Sequence, residues 1–154
     1  MAQQIKVGNC YAIPLPDGKY GYCQYVLRNE MLGYLIQVFD RITDQPLSSA
    51  EELRGVGNMF PPVFVGLPAS VKRGRWKYIG YLPVEDFHFP QFRAIGGALK
   101  PGTYENWWIW DGKQERFIGK LPNELRSLEL RVVWGDELLE ERIQTGKDPH
   151  AEMQ

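Results

Sequence analysis

Short apolar runs, punctuated by Gly, Pro, Asn and Asp, fill most of this chain, the pattern of strands joined by turns. The first run, Val7 to Leu15, contains Cys10-Tyr11-Ala12-Ile13-Pro14-Leu15; Pro14 has no N–H for a ladder and predicts an edge strand. Pro16-Asp17-Gly18 is a turn in which Pro presets φ, Asp bonds locally and Gly accepts positive φ. Lys19 to Arg28 returns, with a change of parity near Gly21 that predicts a bulge. Gly33 to Asp40 places Tyr34, Ile36 and Val38 on one face and Leu35 and Phe39 on the other. Ser48 or Ser49 is set to cap a short helix over Ala50 to Arg54, which Gly55 and Gly57 break. Phe60 to Leu67 and Trp76 to Leu82 are further strands, joined by a loop over Ala69 to Arg75.

The strongest local signal is Tyr104 to Leu121. Trp107 and Ile109 alternate with Trp108 and Trp110, Asp111-Gly112 turns the chain, and Phe117 and Ile118 bring it back. A two-residue loop there would set Trp107 opposite Arg116 as a cation–π pair, whereas a three-residue loop shifts the pairing. A strand apolar on both faces is either covered on both or uses one to bind. The stretch from Pro83 to Pro101 before it reads as irregular, with Phe87, Phe89 and Phe92 as apolar anchors. After it, Leu121-Pro122 opens a helix carried by Leu125, Leu128 and Val132, and Asp136 caps a second one stopped by Gly146. The expected architecture is mainly β (α+β): a curved antiparallel sheet or partly open barrel with two C-terminal helices. It forms one domain over 1–154, ordered over about 5–146 with a frayed tail.

A chain of 154 residues buries roughly 70% of its unfolded surface, enough for a core without disulfides or metal. Net charge is −1, but the two parts of the chain differ: 14 basic and 11 acidic side chains lie up to residue 120, against 4 and 8 after it. A near-neutral total gives no global attraction to nucleic acid or to an anionic membrane. No apolar stretch is long enough to span a bilayer, and the start MAQQIKVGNC has no apolar core of a signal peptide, so the cytoplasm is the expected location. Cys10 and Cys23 are then expected reduced, packing as small hydrophobes or, as the alternative, forming a redox pair.

No catalytic constellation is visible. His88 and His150 lie far apart, no zinc spacing occurs, and there is no nucleophile elbow or P-loop. Neither a metal nor a cofactor is called for. Three candidate surfaces remain. Lys72, Arg73, Arg75 and Lys77 surround Trp76, which reads either as a charged strand edge guarded against aggregation or as a basic and stacking track for single-stranded nucleic acid. Asp136, Glu137, Glu140 and Glu141 form an acidic face, either complementing the helix dipole or matched to a basic partner. Glu85 and Asp86 are an adjacent acidic pair.

Taken in order, several pieces resemble the immunity protein 26 family of bacterial polymorphic toxin systems. They are Gly8-Asn9-Cys10-Tyr11-Ala12-Ile13-Pro14-Leu15 with Asp17-Gly18-Lys19-Tyr20, then Trp76-Lys77-Tyr78-Ile79-Gly80, then Trp110-Asp111-Gly112, then Ile118-Gly119-Lys120-Leu121-Pro122. The resemblance covers most of residues 5 to 145; Asn9 stands where the family often carries an acid. It implies a small, mostly β protein that binds and neutralises a cognate or neighbour-delivered toxin domain and performs no chemistry of its own. The toxin contacts expected on chemical grounds are Glu85, Asp86, Glu137, Glu140 and Glu141, with an acidic surface competing for a nuclease toxin's substrate site. The alternatives are a nucleic-acid-binding β-barrel module using Lys72, Arg73, Arg75, Trp76 and Lys77, and a small enzyme with an aromatic pocket.

Overall fold

The computed structural model describes residues 4–96 and 105–151. The chain separates into two compact units, one formed by residues 1–87 and 133–147, the other by 88–132 and 148–154.

The first unit is built on a six-stranded sheet. Its strands are β1 (Asn9–Pro14), β2 (Tyr20–Asn29), β3 (Gly33–Phe39), β4 (Asn58–Val65) and β5 (Lys77–Tyr81), joined by a late two-residue strand, Val133–Trp134. The spatial order puts β5 and Val133–Trp134 at the two ends and β4, β3, β2 and β1 between them, so the sheet is open. All pairings are antiparallel except that of Val133–Trp134 with β4. Between β3 and β4, Ser49 accepts a hydrogen bond from the Glu51 amide and starts a 3-10 turn, Ala50–Leu53, as its sequence predicts. Leu67–Lys72 is not loop but a short helix, α1, with Pro at its first turn.

β1 is not an edge: β2 and β5 flank it. Pro14 is tolerated for a different reason. The Leu15 amide bonds back to Lys19, so alternation turns the nitrogen of Pro14 to the β5 side, and β5 begins only opposite Ala12. Among the described residues no strand stands where the missing N–H would point. Gly21 likewise marks no bulge, since β1 and β2 pair in regular register past it. A Cβ there would meet Ile143 Cγ2 at 2.9 Å; the glycine lets the C-terminal helix approach the sheet. The register irregularity of β2 falls instead between Tyr25 and Leu27. One face of the sheet carries Cys10, Ala12, Tyr22 and Phe39 beneath Ala50, Leu53 and Leu82.

The second unit has a four-stranded sheet. It runs β8 (Glu115–Gly119), β7 (Trp107–Trp110), β6 (Phe92–Ile95), β9 (Glu129–Leu130), with β6 and β9 parallel. In chain order Val133–Trp134 follows as β10. β6 lies inside the stretch expected to be irregular, whose last part, 97–101, is outside the described residues, as is Tyr104. The tryptophan hairpin forms with a four-residue loop: Trp110 pairs with Glu115, and the Asp111 carboxylate accepts the amides of Lys113 and Gln114. Arg116 therefore stands opposite Ile109, and the cation over Trp107 is Arg93, 5.1 Å from the ring centre. Trp107 packs with Leu121 and Leu130 on one face, while Trp110 on the other meets Phe89 and Phe92 at 5.5 and 5.6 Å. Both faces are covered over most of the strand.

Of the two expected C-terminal helices, the second forms as α2, Asp136–Thr145, ending on Gly146 in the left-handed conformation. The first is a single 3-10 turn, Asn123–Leu125, after which the chain enters β9 and β10. Pairing of Glu129–Leu130 with β6 and of Val133–Trp134 with β4 overrides the helical spacing of Leu125, Leu128 and Val132. After α2, the buried Arg93 guanidinium donates to the carbonyls of Leu128 and His150.

Candidate functional site

The acidic run on α2 divides by helical geometry. Asp136 and Glu140 are one turn apart and face inward; Glu137 and Glu141 are one turn apart and face solvent. Asp136 is the first residue of the helix, its carboxylate accepting from Ser70 Oγ at 3.1 Å and from the Arg73 guanidinium. Glu140, only 4% exposed, takes both Nε and Nη2 of Arg75 at 2.7 Å and the Trp76 indole N–H at 2.9 Å. These bonds to Glu140 hold the Arg75 guanidinium more firmly protonated than usual. Two carboxylates from the helix thus clamp the segment between α1 and β5, and fix the wall they share.

Beside this clamp runs a groove of about 910 Å³. Its helical wall presents Glu137, Glu141, Gln144 and Thr145; its other wall is Pro14-Leu15-Pro16, with Lys77 at the start of β5. The groove therefore joins two candidate surfaces that the sequence treats separately, the acidic helix face and the basic run. Glu137 reaches Arg75 only at 3.9 Å, and among the described residues Glu141 and Lys77 have no ion-pair partner. Apolar residues and Lys77 line one side, the carboxylates of Glu137 and Glu141 the other, and the Gln144 side chain ties the turn to the helix by accepting the Asp17 amide at 2.9 Å.

The basic run does not form a nucleic-acid track. Trp76 is 1% exposed and its N–H is bonded to Glu140, so it offers no face to a base. Arg73 and Arg75 are neutralised by Asp136 and Glu140, leaving Lys72 and Lys77 as the cations of the run without an ion-pair partner among the described residues. Nor does Glu140 reach the surface as a partner contact; its role is inside the fold. Sequence reasoning missed Ser70 and the inward turn of Asp136, because α1 read as loop.

Glu85 and Asp86 lie elsewhere in the same unit, on a second pocket of about 240 Å³. Its lining includes a row of amides on β2, β3 and β4, from buried Gln24 through half-buried Gln37 to exposed Asn58. Asn58 Nδ2 donates to Gln37 Oε1 at 3.1 Å, Gln37 Nε2 to Gln24 Oε1 at 3.3 Å, and Gln24 Nε2 to the Leu82 carbonyl at 2.8 Å. Polar residues inside apolar strands were the available signal for this row. Cys10 and Cys23 are free thiols on opposite faces of the sheet, since Cys10 pairs with Gln24 and Cys23 with Tyr11. Burial pushes Cys10 up to about 12 and Cys23 well above its ordinary value, the opposite of a reactive thiol. No three metal-ligating side chains come together among the described residues, and no helix there is long and apolar enough to cross a membrane.

Charged walls on a rigid β frame make a surface suited to holding another macromolecule, and the groove gathers no set of reactive groups. Among known families, residues 6–102 match the model of immunity protein 26, and the chain belongs to that family. Membership gives it an immunity role in general terms, with a toxin protein as the general kind of partner. No curated protein and no solved structure gives a match. The matched stretch contains β1 to β6, α1 and Lys77; α2, the acidic wall of the groove, lies beyond it.

Proposed function

We propose that this protein neutralises a bacterial toxin domain in the cytoplasm by binding it, without a reaction of its own, and that the groove between α2 and the Pro14-Leu15-Pro16 turn is the contact surface. The observation that carries this reading is the division of the α2 acids. Asp136 and Glu140 lock the wall, which leaves Glu141 without an ion-pair partner among the described residues and Glu137 with only a 3.9 Å contact to Arg75, in a preorganised frame opposite Lys77. Preorganisation removes the ordering cost of binding, and free charges of both signs select a partner by complementarity and speed encounter. Leu15 and its flanking prolines give the apolar floor that charge alone lacks. A contact of standard size, roughly 1,600 Å² in total, extends beyond the groove onto its rims.

The test is protection of cells that express toxin domains from the same genome. Glu137→Lys together with Glu141→Lys is expected to abolish protection and binding by the purified protein while stability falls by no more than about 1 kcal/mol, because Glu137 gives only a first-turn charge and a 3.9 Å contact with Arg75, and Glu141 has no ion-pair partner among the described residues. Full protection by that variant would refute the groove as the contact. Failure of the unaltered chain to protect against any such toxin would refute the neutralising role.

A further inference from the structure

A sheet edge can pair with another chain, and folded proteins usually blunt it with charge, irregularity or brevity. Among the described residues the two sheets end in β10, β5, β8 and β9. β9 and β10 have two residues each, and β5 opens on Lys77 and carries a register shift opposite Cys10 and Tyr11. β8 is different. From Glu115 to Phe117 it pairs in regular register with β7, and the shift falls only beyond Phe117. The Asp111 amide bonds to the Gln114 carbonyl, so by alternation Arg116 turns its backbone to Ile109, while Glu115 and Phe117 turn theirs outward. Those two N–H and two C=O groups have no partner among the described residues. The Phe117 ring on this edge is 54% exposed, and the Trp108 ring meets it edge-on at 5.1 Å.

Unpaired backbone donors and acceptors in a row are completed by an extended strand, and an aromatic at the middle of the row by another apolar group. The charges of β8 select which strand. Across the edge, outward residues must face outward residues. For a second copy of β8 related by a two-fold axis, centring on Glu115 sets two carboxylates opposite each other, and centring on Arg116 sets two guanidinium groups opposite each other. Centring on Phe117 sets the two phenyl rings opposite each other and Arg116 against Ile118, with no like charges facing. The Glu115 carboxylate is in any case drawn back to Arg131 of its own chain, at 3.1 Å. We propose that the protein forms a two-fold homodimer through β8. Phe117 of each copy pairs with its equivalent, the two four-stranded sheets become one, and Trp108, Phe117 and their copies make an aromatic row across the junction. A junction of this length lies at the small end of interfaces, below roughly 1,200 Å² in total, so dimer and monomer exchange. It uses no residue of the α2 groove, so it stands or falls independently of toxin binding there.

The test is sedimentation velocity on the purified full-length chain between about 10 μM and 1 mM, with hydrogen exchange of the ¹⁵N-labelled protein at both ends of that range. The dimer is expected to grow with concentration. The Phe117 amide should become protected from exchange as it grows, while the β5 amides do not change. Phe117→Lys sets two cations face to face and should leave only monomer. Phe117→Pro removes the outward N–H without taking a bond from the β7 ladder, and should lose the dimer by a second route. The spectrum of each variant reports whether it is folded, and the Glu137→Lys, Glu141→Lys variant should dimerise like the unaltered chain. A monomer throughout the range, or a dimer that survives both substitutions at Phe117, overturns the proposal. Protection of the Phe117 amide that appears only when a toxin domain is added overturns the second copy as the occupant and assigns the edge to the toxin.

Discussion

Glu140 provides the sharpest test of how the groove is held. Glu140→Gln preserves volume but removes the charge and turns an amide N–H₂ towards the Arg75 fork. Two hydrogen bonds to a charged group would contribute about 3–6 kcal/mol if nothing replaced them. Something does: the Arg75 side chain is 36% exposed and the Asp136 carboxylate remains 3.7 Å away, so water and Asp136 recover more than half of it. Gln can still accept from the Trp76 indole. The net loss expected is about 1.5–3 kcal/mol. Glu140→Ala also strands the indole N–H in a site that is 1% exposed, adding about 1–3 kcal/mol. Glu141→Gln, one residue on, exposed and without an ion-pair partner, should stay within about 0.5 kcal/mol of the unaltered protein. Urea unfolding followed by tryptophan fluorescence measures the series, and hydrogen exchange of the α2 amides localises it. If Glu140→Gln and Glu141→Gln unfold at the same urea concentration, Glu140 does not lock this wall and the reasoning about the groove's frame is wrong.

Three further outcomes are expected. Gly8 sits at φ 99, and a Cβ there would lie 2.7 Å from the Leu82 carbonyl oxygen, so Gly8→Ala should destabilise by about 2–4 kcal/mol in the same urea assay. Arg93→Lys keeps the charge but loses the planar fork that reaches both Leu128 and His150; amides of 148–151 should then exchange markedly faster, and unchanged protection would refute the anchoring. The thiols give a pH dependence. Burial raises Cys10 to about 12 from an ordinary 9.0, so unfolded chains release that proton first and stability, complete below about 9, falls as pH rises towards 12. Cys10→Ala should flatten that fall, and thiol reagents at pH 8 should modify Cys10 only as fast as the protein opens.

Elements with strictly local causes were legible. The Pro16-Asp17-Gly18 turn, the Ser49 cap and the Gly146 stop each depend on side chains within a few residues, and each is present; the chain also reverses at Asp111-Gly112, though through a four-residue loop and not the two- or three-residue one expected. What failed depends on partners far along the chain. The 121–132 segment has helical spacing, yet parallel pairing with β6 and β4 draws it into strands. Gly21 looked like a bulge because Ile143, more than a hundred residues away, is what requires it. Trp76 looked like a stacking platform because nothing nearby in sequence announces that Glu140 will cover it.

The acidic run shows why composition could identify a charged face but not its use. Asp136, Glu137, Glu140 and Glu141 are chemically near-equivalent, and the first two, in the first turn, also complement the helix dipole. A rotation of about 100° per residue separates them into pairs one turn apart. The pair that meets α1 and β5 finds Ser70, Arg73, Arg75 and Trp76, and its charge vanishes into the fold. The other pair lines the groove, Glu137 with a loose 3.9 Å contact to Arg75 and Glu141 with no ion-pair partner among the described residues. Removing an inward acid should therefore lower stability, with binding lost only as a consequence, whereas removing an outward one should leave stability intact and alter binding alone. Measuring both quantities on the same four single variants separates frame from contact; a variant at 137 or 141 that unfolds early would show that the division does not run along this turn of the helix.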